Sequence, residues 1–171
     1  MKRIFIVLTF VLAAFPAWAQ TREENVNHCM DDNPDLSIGG CTALIQSGQE
    51  SNEGLAVAFY NRGVSYFDKD MLDQAISDYT EAIALNPNDS SAYYNRGIAN
   101  RHKGNIDQAI ADYTAAIAIE PDHAHAYYNR AALYESRGQT DLAISDYRQS
   151  LRFEPGDADS ITALKRLGAS P

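Results

Sequence analysis

The chain has little with which to do chemistry. Over 171 residues it holds two cysteines, four histidines and one tryptophan. Cys29 and Cys41 lack the C-x-x-C spacing of a catalytic dithiol, and with only His28 close by they are short of ligands for a metal site. There is no glycine-rich phosphate loop, no G-x-S-x-G elbow and no H-E-x-x-H pair, so the sequence signs of nucleotide, serine-hydrolase and zinc-protease chemistry are missing. His123 and His125 are two residues apart, a spacing that turns side chains away from each other on a helix, and they read as surface residues rather than ligands. No residue qualifies as catalytic, and no cofactor or metal is implied. Positive charge is scarce as well: 14 Lys and Arg stand against 23 Asp and Glu, a formal net charge of −9. Binding to nucleic acid or to an anionic membrane surface calls for basic patches, so neither is expected.

Long apolar runs are absent with one exception. Residues 1–19 open with Lys2 and Arg3, continue almost wholly apolar from Ile4 to Phe15, and end Ala17-Trp18-Ala19 before Gln20. Charge, apolar stretch and small-residue cleavage site in that order predict a secretory signal peptide. The run is short for a membrane span, which needs about 20 residues, and no Cys follows the cleavage site to carry a lipid. The expected mature chain starts near Gln20, keeps no membrane anchor, and is periplasmic or secreted.

What the chain does have is a period. Residues 56–89, 90–123 and 124–157 superpose at a shift of 34, the mark of a stacked-repeat architecture. Within residues 106–117, Ile106, Ala109, Ile110, Tyr113, Ala116 and Ile117 recur at helical steps. Tyr93, Gly97 and Asn100 mark a shorter face on the helix before it. Gly104 suits the left-handed turn between the two, and Pro87, Pro121 and Pro155 stop the second helix in register. A helix pair of this kind cannot bury its apolar face alone, so the units must stack.

These residues resemble the tetratricopeptide repeat family. Phe59, Gly63, Tyr66, Ala75, Tyr79, Ala82 and Pro87 fit its pattern in the first unit. Tyr93, Gly97, Ala109, Tyr113, Ala116 and Pro121 fit it in the second, and Tyr127, Tyr134, Gly138, Ala143, Tyr147 and Pro155 in the third. Departures are Ala131 for the first-helix Gly, Asp70 for the turn Gly, Asn100 for an aromatic and Ser150 for an Ala. The resemblance implies an all-α fold, a right-handed α-solenoid of stacked antiparallel helix pairs. Where the family usually carries Leu, this chain has Arg62, Arg96 and Arg130, and Asp78, Asp112 and Asp146 recur on the second helices. Two readings of that column stand: a ladder of Arg–Asp pairs across the helix seams, or a row of arginines that binds anions.

The flanks extend the pattern. From Asp35, DLSIGGCTALI aligns with DQAISDYTEAI from Asp73, so residues 20–55 read as a degenerate repeat with a short first helix over residues 22–30. A turn is expected at Asn33-Pro34-Asp35. Cys29 and Cys41 lie equally far from Asp35, which in a helical hairpin of an exported protein points to a disulfide. Residues 47–54 read as a polar loop. After the third unit, Asp157 caps a last helix with the stripe Ile161, Leu164 and Leu167, which covers the open end of the solenoid within residues 158–171.

Function follows the resemblance. The family's first helices line a concave groove for an extended peptide or a partner's helix. Here that groove carries Tyr60, Asn61, Val64, Phe67 and Asp68, then Tyr94, Asn95, Ile98, Arg101 and His102, then His125, Tyr128, Asn129, Ala132, Glu135 and Ser136. Tyr60, Tyr94 and Tyr128 offer stacking surfaces, and Asn61, Asn95 and Asn129 can donate to and accept from a peptide backbone. Phe67, Asp68, Arg101, His102 and Glu135 differ between units and would set selectivity. Chaperone-binding members place lysines in this groove to clamp a terminal carboxylate; tyrosines stand here instead. The expectation is an exported adaptor that binds a protein or peptide. The competing classes are a redox or hydrolytic envelope enzyme and a cell-wall glycan binder using the tyrosines.

Overall fold

In a computed structural model that describes residues 20–171, the described residues form nine helices and no strand. The first two, α1 (Arg22–Cys29) and α2 (Pro34–Ser47), make an N-terminal hairpin. Three helix pairs follow: α3 (Asn52–Asp68) with α4 (Leu72–Leu85), α5 (Ser90–Lys103) with α6 (Ile106–Ile119), and α7 (Ala124–Ser136) with α8 (Thr140–Phe153). The chain closes with α9 (Ala158–Arg166). Each helix packs mainly on its neighbours in sequence, and α1 meets α3 and α3 meets α5, which sets the first helices of the pairs side by side. No described helix is long and apolar enough to cross a membrane.

The helix boundaries have local causes. The residues before the three repeat prolines, Asn86, Glu120 and Glu154, leave helical geometry at ψ 87°, 89° and 77°, as a following proline ring demands. Between the paired helices, Asp70, Gly104 and Gly138 take left-handed φ of 57°, 83° and 69°. Asp70 is the one non-glycine residue among those described to do so, and its short polar side chain tolerates the conformation better than most. Asp89 and Asp157 cap α5 and α9 through side-chain oxygens, and at the same repeat position His123 caps α7.

The core is a column of second-helix tyrosines. Tyr79, Tyr113 and Tyr147 are fully buried, each against an alanine of its own helix, Ala75, Ala109 and Ala143, and against Ala99, Leu133 and Ala163 from the next element. The first helix crosses close by. A methyl group at Gly97 would lie 2.7 Å from the Tyr113 ring, and one at Gly63 2.9 Å from Tyr79. In the aligned N-terminal hairpin, Cys41 occupies the tyrosine position, and its bond to Cys29 (S–S 2.02 Å) fills the space between the helices instead.

Two expectations need correction. The turn of the hairpin falls before Pro34, which starts α2, with Asn33 as its N-cap. The cysteines are therefore not symmetric about the turn: Cys29 ends α1, whereas Cys41 sits two turns into α2. Asn52, Glu53 and Gly54 are helical rather than loop, because Ser51 accepts the Gly54 N–H at 3.1 Å and starts α3 a turn early. That extra turn lets Glu50 receive both Nε and Nη2 of Arg22, at 2.8 Å each, tying the hairpin to the first repeat.

Candidate binding groove

The arginine column lies on the seams between units. Arg62 donates through Nε and Nη2 to Asp78 at 2.7 and 2.9 Å, and through Nη1 to Thr42 of the preceding unit at 3.0 Å. Arg96 repeats this with Asp112 and Thr80, and Arg130 with Asp146 and Thr114. The guanidiniums also stand over Phe59, Tyr93 and Tyr127 at about 5.5 Å from the ring centres. With the fork spent on one carboxylate and one hydroxyl, the column is a ladder within and between units, and the anion-binding reading of these three arginines loses its donors. Asn100, which replaces an aromatic, joins the ladder by donating to Asp112 at 3.0 Å.

The surface on the other side of α3, α5 and α7 holds the residues expected to bind. Tyr60, Tyr94 and Tyr128 are half-buried, and each tilts against the core tyrosine of its own unit: Tyr60 on Tyr79, Tyr94 on Tyr113, Tyr128 on Tyr147, at ring-centre distances of 6.0, 5.8 and 5.6 Å. The rings are therefore fixed from behind. Asn95 donates Nδ2–H to the Tyr60 hydroxyl at 2.8 Å, and Asn129 does the same to Tyr94 at 2.9 Å. One donor of each asparagine is thus already in use, leaving the other N–H and the carbonyl oxygen. Asn61 has no preceding tyrosine and Tyr128 no following asparagine, since Ala163 falls there. Burial holds the phenols of Tyr60, Tyr94 and Tyr128 above their usual pKa range, so all three remain neutral hydroxyls near neutral pH.

The residues that differ between repeats have diverse surroundings. Val64 and Ile98 pack partly into the core, and Phe67 meets the exposed His102 edge-on at 5.2 Å. Asp68 and Ser136 are exposed, and Ala132 is half-buried. Glu135 is taken internally: Tyr147 donates its hydroxyl to Oε2, and Arg166 of α9 donates Nε and Nη2 to Oε1 and Oε2, all at 2.8 Å. These contacts hold the Glu135 carboxyl below its usual range. Arg101 is half-buried, and its side chain makes no ion pair or hydrogen bond among the described residues. His125 lies exposed at the edge, 4.0 Å from Glu154, while His123 is half-buried against Tyr94 with Nδ1 turned to the Ala126 N–H. The sequence reading missed that cap.

The groove continues onto the hairpin, which periodicity does not reveal. An open hollow of about 290 Å³ lies between α1, α2 and α3, with Val26, Met30, Leu44 and Val57 along it, and Asn61 borders both it and a smaller, acidic hollow with Asp31, Asp32 and Asp68. The disulfide underlies both. Cys41 is fully buried and Cys29 nearly so, which removes the sulfurs from thiol exchange and makes the bond a staple.

Comparison with known proteins bears on the same residues. A family model described as "Tetratricopeptide repeat" matches residues 56–89, 90–123 and 124–157, the three units read from the sequence. No curated protein matches the chain. Among solved structures, the TPR domain of Arabidopsis OM64 is 30% identical, with a TM-score of 0.66 over 69% of this chain and 98% of that one. MamA is 27% identical, with a TM-score of 0.70 over 80% of this chain and 77% of that one. The second TPR domain of human RPAP3, in complex with an HSP70 peptide, is 24% identical, with a TM-score of 0.65 over 70% of this chain and 100% of that one, a likeness of fold alone.

Proposed function

The chain belongs to the tetratricopeptide repeat family, and from that premise we propose that it is an exported scaffold that holds a protein or peptide segment along α3, α5 and α7. The observation that carries this reading is the row Tyr60, Tyr94 and Tyr128, half-exposed, backed by buried rings and cross-linked by Asn95 and Asn129. Rigid aromatic anchors give large contact area with little entropy left to lose, and such anchors dominate many interfaces. The remaining amide groups of the asparagines meet an extended backbone whatever its sequence. Peptide capture by the RPAP3 domain is a property of that protein. It supports the class of ligand and not its sequence, because tyrosines stand in this groove where chaperone-binding relatives carry lysines.

Export is supported by the N-terminal leader, which lies outside the described residues, and by a disulfide that suits an oxidising compartment. Removal of residues 1–19 would leave a soluble acidic chain in the periplasm or beyond. The test of the groove is a double variant, Tyr94→Ala with Asn95→Ala, compared with wild type in affinity isolation from envelope extract after circular dichroism shows both folded. Loss of the wild-type partner is expected; an unchanged set of captured proteins would move the site to the hairpin hollow or the second-helix face.

A further inference from the structure

The arginine ladder differs in its second rung. Arg62 stands over two rings, Phe59 and Tyr66, at 5.5 and 5.7 Å from the ring centres, and Arg130 over Tyr127 and Tyr134 at 5.6 and 5.9 Å. Arg96 stands over Tyr93 alone among the described residues, at 5.5 Å. The cause is a single position, since Asn100 falls where the flanking repeats carry Tyr66 and Tyr134. Asn100 does not replace the bulk of the ring. Its amide is turned inward, donating to Asp112 at 3.0 Å and accepting from Asn105 at 3.1 Å, and the residue is buried. Beside Arg96 and Asn100 lies an open hollow of about 320 Å³, walled by Ile76 and Thr80 of α4 and by Gln108 and Ala111 of α6. It opens on the ladder side of the helix pairs, away from the row of Tyr60, Tyr94 and Tyr128.

Arg96 decides what fits there. Its Nε and Nη2 are engaged by Asp112 and its Nη1 by Thr80. An acidic ligand would meet a charge already neutralised, with the Asp112 carboxylate beside it. An aromatic ring meets no such penalty, because the guanidinium attracts the electron-rich face of a ring while keeping its in-plane hydrogen bonds. Ile76 and Ala111 offer apolar surface to the rest of the ring. We propose that this hollow docks an aromatic side chain of a partner protein, which takes up the place that Tyr66 and Tyr134 fill in the flanking repeats. The site lies outside the groove and does not depend on what the groove binds.

Methyl NMR of the folded protein tests this, with N-acetyl-phenylalaninamide as probe and N-acetyl-leucinamide as its aliphatic control. The aromatic probe is expected to move the Ile76 δ-methyl signal upfield by its ring current, in a saturable way, and the leucine probe to leave it in place. Ile110, the counterpart of Ile76 one repeat on, should stay still with both, because Tyr134 already serves that seam. Asn100→Tyr gives the second repeat the ring its neighbours carry, so it should fold as they do and abolish the Ile76 response. Ala111→Leu, an exposed helical position outside the ladder, narrows the hollow and should weaken the response without disturbing any hydrogen bond. Peptides selected from a random library on wild type, after depletion on Asn100→Tyr, should share an aromatic residue whose change to Leu weakens binding about two- to thirtyfold. No saturable shift at Ile76, an equal response to the leucine probe, a shift that survives Asn100→Tyr, or selected peptides without an aromatic requirement each overturn the site. An Ile76 shift that grows with protein concentration alone makes the occupant a second copy of this chain and overturns the partner.

Discussion

At the scale of single residues, chemistry here is settled by whether a polar group finds its partner. His123 is the clearest case. Burial against Tyr94 lowers its pKa from the ordinary 6.5, outweighing the upward pull of Glu120 and Asp122, while His125 pushes the same way as burial. Only neutral imidazole can accept the Ala126 N–H at Nδ1, so the cap of α7 and the lowered pKa are one arrangement. In the unfolded chain this histidine binds its proton at higher pH than in the fold. Its contribution to stability is therefore complete above about pH 6.5 and is lost as pH falls through the lowered folded-state value. His123→Asn keeps a capping oxygen and removes the titration. Urea midpoints at pH 7.5 and 5.5 should fall further for wild type than for the variant, and parallel falls would disconnect His123 from the acid sensitivity.

At the scale of elements, the Arg–Asp ladder sets how one helix pair seats on the next. Arg96 spans three helices: it rises from α5, takes Asp112 on α6, and reaches Thr80 on α4. Asp112 is only 6% exposed at its side chain, so it depends on Arg96 and Asn100 for its neutralisation. Arg96→Ala should destabilise the protein by about 1–3 kcal/mol by stranding that carboxylate, and the double variant with Asp112→Ala should recover part of the loss. A single-variant change within error would show the ladder to be idle. The exposed pairs Lys69–Asp35, Lys103–Asp73 and Arg137–Asp107 also link successive units. With carboxylates this solvated they are worth little each.

At this scale the limits of sequence reading are physical. Unit boundaries, the proline stops, the left-handed Asp70 and the Arg–Asp pairing were legible, because each follows from local geometry repeated three times. The Asn95–Tyr60 bond was not: it joins residues 35 apart and depends on the stacking offset between helices, which no period reports. Glu135 looked like a selectivity residue because it differs between repeats. Its true partners are set by the angle of α9, which brings Arg166 onto it.

At the scale of the whole molecule, stability is shared only between neighbours, and the two ends are finished differently. The C-terminal end is closed by apolar packing, with Leu164 and Ala163 of α9 against Tyr147 and Ala143. The N-terminal end has too short a first helix for that, eight residues in α1, and uses the Cys29–Cys41 bond where other units place a tyrosine. Closing a loop with a sequence separation of 12 contributes about 2–3 kcal/mol, most of what so small a hairpin has. Cys29→Ala with Cys41→Ala should therefore open α1 and α2 without opening the distant repeats, because a solenoid couples each unit only to the next. Hydrogen exchange read peptide by peptide should show lost protection across α1 and α2, partial loss in α3, and unchanged protection from α5 to α8. Since Asn61 and the apolar hollow lie where the hairpin meets α3, peptides that need that end of the groove should weaken in the same variant, whereas those anchored on Tyr94 and Tyr128 should not. Protection lost evenly along all nine helices would mean that the chain unfolds as one cooperative body, and the staple would then act on the whole groove at once.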